Sequence, residues 1–206
     1  MLNLLTNQYL VSSKPNFDIF FFILLVVALL IGLVAKQYLR KLDFKHSIIS
    51  TFLSFLIMGL LLFTKGINMI AVKGFILFLI LFFASVSDIR ERKVSDTYSI
   101  MIIITALIGV ELSDLPFMFI SMIAVGIPQL IIAMISPGTY GGADIKISAA
   151  GAFLLGIWKG FLAVMIGLTL SIIVTLIFRI LKKQSIYSGI PLVPYLSFGI
   201  LLMFII

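Results

Sequence analysis

LFLILFFASVSDIRERK, residues 77–93, decides how the rest of the chain is read. Eleven uncharged residues, most of them large and apolar, run into Asp88. Five of the six residues in DIRERK, 88–93, are charged. An uninterrupted apolar segment that ends abruptly in charge is the signature of a helix leaving a bilayer. The whole chain agrees with that local reading. Of its 206 residues, 62% are hydrophobic and 11% charged, with mean hydropathy +1.29. A soluble domain is about 45–50% apolar and about 25% charged. No water-soluble fold hides this much apolar surface, so the sequence predicts a polytopic membrane protein.

A spanning helix needs roughly 20 apolar residues. Working outward from 77–93, candidate spans fall at about 17–35, 47–64, 70–87, 97–113, 115–136, 145–158, 160–178 and 190–206. The sixth is short and carries Lys146, so it reads as a tilted span or a re-entrant half-helix. The runs do not alternate as barrel strands do, and backbone in lipid must pair internally. The expected fold is an all-α polytopic membrane protein, a bundle of about eight transmembrane helices (six to eight). Charge orients it. With the N-terminus outside, eleven basic residues face inward: Lys36, Arg40, Lys41, Lys45, Arg90, Arg92, Lys93, Lys146, Arg179, Lys182 and Lys183. Four face outward: Lys14, Lys65, Lys73 and Lys159. The positive-inside bias therefore puts both termini outside. The first 18 residues lack the basic start of a cleavable signal.

The same inventory narrows the chemistry. There are no cysteines, which removes disulfides, thiolate catalysis and cysteine-based metal sites. A lone histidine, His46, makes no histidine-rich metal centre. Neither a metal nor a cofactor is expected. The net charge of +7 sits between apolar runs, where orientation accounts for it, so no nucleic-acid partner is expected; the partner is the lipid bilayer.

Eight acids remain. Asp18 suits a helix cap, Asp43 a solvated partner for Lys41 or Lys45, and Glu111 with Asp114 an outer turn in which Asp114 caps the next helix. Asp88 and Asp144 stand apart, because both fall at the inner membrane boundary. Each has a structural reading: Asp88 as a partner of Arg90 or Arg92, Asp144 as a helix cap. Spacing alone does not bring them together across 56 residues. If they meet, two close carboxylates share a proton. One then takes a proton from water while the other donates to a carbonyl oxygen. Glycines before Asp144 let backbone approach a substrate closely.

Three segments then resemble the prepilin peptidase family, the GxGD-type membrane aspartyl proteases. SDIRERKVSD, 87–96, looks like that family's first catalytic aspartate followed by basic residues and a turn, with Ser95 in place of the usual proline. GGADIK, 141–146, is similar to its glycine-rich second motif, with Ala143 where the strict bacterial pattern has glycine. Archaeal preflagellin peptidases can carry that GGAD form. IPLVPYLSFG, 190–199, looks like the family's proline-containing last helix.

The resemblance implies that Asp88 and Asp144 are the catalytic pair of an aspartic endopeptidase. Gly141, Gly142, Ala143, Lys146 and Asp96 become motif residues near substrate. The residues themselves also allow Asp96 to be an N-cap and Lys146 an interfacial anchor. Pro191 and Pro194 read as shaping the start of the last helix. The implied substrates are prepilin, pseudopilin or preflagellin-like precursors, whose basic leader is cut at the cytoplasmic face of the cell membrane; Glu91 and Asp96 are candidate contacts for that leader. Larger bacterial members carry a four-cysteine zinc-binding loop linked to N-methylation. The loop at 36–46 is too short and has no cysteine, which implies a peptidase without that domain and speaks against methylation. Residues 76–206 form the expected catalytic core, and 1–75 are transmembrane helices without an assignable motif. Two other readings are carried forward: a presenilin-like protease cutting deeper in the membrane, and a small proton-coupled transporter using the two acids as ion sites.

Overall fold

The computed structural model describes residues 26–27, 29–30, 32–33, 47–66, 68–138, 140–182 and 191–206. Most of the first expected span, the loop at 36–46, Asp18, Asp43, and the side chains of Arg179, Lys182 and Lys183 lie outside them. Among the described residues the chain is all-helical, with seven α-helices. They are α1 Ser47–Lys65, α2 Met69–Glu91, α3 Asp96–Ala106, α4 Leu115–Ile135, α5 Gly142–Leu155, α6 Ile157–Lys182 and α7 Val193–Ile205. A 3₁₀ turn, Leu112–Asp114, precedes α4. Three helical stretches, Met69–Glu91, Leu112–Ile135 and Ile157–Ile177, are long and apolar enough to cross a membrane.

The chain divides into two compact units, Met1–Ala71 and Val72–Ile206. In the first, α1 stops at Gly66, whose φ of 73° only glycine adopts freely. Asn68 then caps α2, its side-chain oxygen accepting from the Ala71 N–H at 3.1 Å.

The second unit holds the motifs. Leu77, Ile80, Leu81 and Ala84 recur at helical spacing and form one buried stripe of α2. They join Ile102 of α3, Ile147 and Ala150 of α5, Ala163 of α6, and Val193, Ile200 and Met203 of α7 in one core. At the centre is α5, which packs against α3, α4, α6 and α7. Six of its residues, including Ile147, Ser148 and Phe153, are buried, on every side of the helix. A helix buried on every side is an enclosed helix, and at 14 residues α5 is enclosed by the longer α4 and α6 together with α3 and α7. Apolar helices gain little from merely touching in lipid, so close approach must supply the packing. A Cβ on Gly167 would lie 2.9 Å from the Leu196 Cα, and one on Gly199 would run into the Ala163 carbonyl, so α6 and α7 meet backbone to backbone. Large side chains such as Ile123, Ile127, Leu162 and Met165 stay exposed along α4 and α6, a surface suited to lipid.

One boundary and one cap differ from the sequence expectation. The span predicted at 97–113 ends as a helix at Ala106, after 11 residues. Lys73 explains the stop: its Nζ donates to the carbonyls of Ala106 at 2.7 Å and Ile108 at 3.0 Å, satisfying the open end of α3. Asp114 occupies the N-cap position of α4 but makes no side-chain cap bond; Pro116 inside the first turn needs no donor partner there.

Candidate functional site

Helix α2 runs on past the apolar segment, so Asp88 sits in its last turn rather than in the loop. The helix closes with Arg92 at φ 51°, its N–H donating to the Asp88 carbonyl at 3.0 Å. Ser87 Oγ donates to the Lys93 carbonyl at 2.8 Å, folding the charged patch back onto the helix end. Ser95, in place of a proline, is the N-cap of α3 and accepts from the Thr97 N–H. The Asp88 carboxylate reaches across to α7, where Oδ2 accepts from the Val193 N–H at 3.0 Å. A helix N-terminus has unpaired donors and partial positive charge, so it is a natural seat for a carboxylate.

Asp144 is the third residue of α5, and its Oδ2 accepts from the Gly141 N–H at 3.0 Å. That is the reach-back half of a capping box. The two glycines preceding it do different things. A Cβ on Gly141 would lie 2.8 Å from Asp144 Oδ2, so this position must be bare for the carboxylate to fold back. A Cβ on Gly142 would meet nothing within 4 Å; its bareness leaves space in front of the site.

Both acids are half-buried, and both line one cavity of about 750 Å³ with Arg92, Lys93, Val94, Gly138, Gly141, Gly142, Ala143, Ser171, Pro191 and Leu192. It lies where α2 and α4 finish and α5 and α7 begin. Asp114, Phe117, Gly156 and Ile157 line a smaller hollow, about 350 Å³, where α4 and α6 begin. Burial pushes the Asp144 carboxyl up to about 6; the Gly141 N–H pulls it down, and the charge of Asp88 adds to the rise. The nearby Tyr140 hydroxyl is raised by burial and by Asp144.

Asp96 and Lys146 are brought together, but not into the cavity, whose lining includes neither. Lys146 Nζ lies 2.7 Å from both carboxylate oxygens of Asp96. The cap role open to Asp96 belongs to Ser95, and Lys146 is held in an ion pair with Asp96. With Asp96 so engaged, its carboxylate does not present a free charge to a basic leader. Two further ties had no clear signal in the sequence. Ser148, one turn beyond Asp144, donates to Gln129 Oε1 at 2.7 Å, both residues being buried. Ser85 and Ser197 hydroxyls meet at 3.1 Å between α2 and α7. Small polar residues in an apolar helix hint at such bonds without naming the partner.

The fold and site together define a helical membrane protein whose two half-buried carboxylates, distant in sequence, open onto one cavity. A family model described as the type IV leader peptidase family matches residues 75–180, just over half of the chain. The chain belongs to that family and is a type IV leader peptidase-like protease. The matched stretch includes Asp88, Asp144, Asp96 and Lys146 and stops short of α7. No curated protein and no solved structure matched it.

Proposed function

We propose that the protein is an aspartic endopeptidase that removes the basic leader of prepilin, pseudopilin or preflagellin-like precursors, with Asp88 and Asp144 as its catalytic residues. One observation carries the reading: the two acids, 56 residues apart, line the same cavity. In that cavity one carboxylate is ionised and takes a proton from a water molecule. The water attacks the scissile carbonyl while the other, protonated carboxyl donates to the carbonyl oxygen. The proton then passes to the leaving amine, and the pair returns to one shared proton. Gly142 and Ala143, both small, border the reaction space, which suits an extended peptide laid alongside α5.

The substrate's apolar helix lies in the bilayer, its basic leader stays in the cytoplasm, and the cut falls at the boundary. Arg90, Arg92 and Lys93 beside Asp88 support a cytoplasmic position for the site. Residues 76–206 form the catalytic core of a bundle of about eight spans, and 1–75 supply the remainder. No metal enters this mechanism, so cleavage is expected to survive chelators.

The test is direct. Asp88→Asn and Asp144→Asn, each accumulating normally in membranes, are expected to abolish cleavage of a prepilin-like precursor. Wild-type cleavage by either variant would remove that residue from the reaction.

A further inference from the structure

We propose that the Asp96–Lys146 ion pair is a clamp that holds Asp88 and Asp144 at working separation, which makes both of its members positioning residues; the role presupposes the catalytic reading of the two acids. The pair joins the helices that follow or carry the acids. Asp96 opens α3, eight residues after Asp88, and Lys146 lies two residues after Asp144 on α5. Lys146 Nζ meets both oxygens of Asp96 at 2.7 Å, a geometry that fixes direction as well as distance.

Each arm of the clamp is stiff. From Asp96 back to Asp88 the chain is held by the Ser95 cap on Thr97, the Ser87–Lys93 bond at 2.8 Å, and the Arg92 N–H on the Asp88 carbonyl at 3.0 Å. From Lys146 back to Asp144 is half a helical turn, and Asp144 is tied to Gly141 at the head of α5. The contacts thus form a continuous path from one carboxylate to the other. Deeper in the bundle, α3 and α5 meet through Ile102 and Ile147, and such apolar contact is non-directional. The ion pair is a directional contact between these two helices at the cavity end.

Both side chains are more than half exposed, so solvent screens the pair and it adds little to folding stability. Neither lines the cavity, so they act through α3 and α5 rather than on the substrate. A contact that is weak for stability yet bridges the frames of two reacting groups is felt in turnover, because small misplacements slow chemistry strongly.

The experiment uses the full chain in lipid vesicles with a prepilin-like precursor. Asp96→Asn and Lys146→Met are each expected to lower kcat about tenfold with KM within about twofold. The thermal midpoint should stay within about 2 °C, and the double variant should be no slower than either single one. Wild-type kcat in a single variant, losses that multiply in the double, or a rise in KM alone would overturn the clamp. A second measurement needs no activity. The chain has no cysteine, so Asp88→Cys with Asp144→Cys can be bridged by a short bifunctional maleimide. Adding Lys146→Met is expected to slow that cross-linking several-fold; an unchanged rate would also overturn the clamp. If no prepilin-like precursor is cut at all, the catalytic reading fails, while the cross-linking rate still judges the clamp.

Discussion

At the scale of single residues, the two glycines ahead of Asp144 make separable predictions. Gly141 is crowded by the carboxylate it serves, at 2.8 Å from a built Cβ, whereas Gly142 has open space. Gly141→Ala is therefore expected to push Asp144 off its backbone donor and lower kcat at least about tenfold. Gly142→Ala should leave kcat within about twofold and act, if at all, on KM. Steady-state kinetics on a prepilin-like precursor checks both; equal losses would mean that backbone approach, not the room for Asp144, explains the motif. The carboxylate itself sets a pH dependence. With the Asp144 carboxyl raised to about 6, chiefly by burial, the proposed mechanism has the pair lose its shared proton above that value. The kcat/KM of the free enzyme should fall on the alkaline side through an apparent pKa near 6, read between about pH 4 and 8. Stability moves the same way. A carboxyl whose folded pKa is raised contributes fully below its unfolded pKa, and the contribution fades as pH rises through 6.

At the scale of elements, the critical joint is α6 against α7, because α7 also presents its N-terminus to Asp88. Gly199 abuts the Ala163 carbonyl, and Gly167 abuts the Leu196 backbone. Gly199→Val is expected to destabilise the fold by roughly 3 kcal/mol and to weaken activity through loss of the Val193–Asp88 bond. Thermal unfolding in detergent, compared with an exposed control such as Phe198→Val, measures it. Sequence reading found the elements unevenly, for physical reasons. Long helices such as α2, α4 and α6 announce themselves, because crossing lipid demands an unbroken apolar run. The early end of α3 did not, since Leu107, Ile108 and Val110 stay apolar after the helix stops, and the stop depends on Lys73 from another helix. The short, enclosed α5 looked like a tilted or re-entrant segment. Its length follows from the neighbours around it, which no local window contains.

At the scale of the whole molecule, the site was legible to the extent that chemistry is rare in this chain. With eight acids and no cysteine, Asp88 and Asp144 stood apart by position, and the resemblance of their motifs, not position, suggested them as a pair. Their shared cavity, the Val193 donor and the Asp96–Lys146 pair could not, because each depends on contacts between residues about 50 or more apart. The two-ended form of the 72–206 unit gives the remaining prediction. The Asp88 cavity lies where α2 finishes, and Lys73, near the opposite end of α2, meets the end of α3. Along a helix those two residues are separated by about 22 Å, most of a bilayer's hydrocarbon core. In the proposed orientation, the positive-inside rule assigns the cavity end, with Arg90, Arg92 and Lys93, to the cytoplasm. The chain's lack of cysteine makes this measurable one position at a time. In intact cells, Lys159→Cys and Glu111→Cys, both at exposed sites, should react with a membrane-impermeant maleimide; Arg90→Cys, also exposed, should react only after lysis. The reverse pattern would place the two acids on the outer face, where a leader retained in the cytoplasm could not reach them.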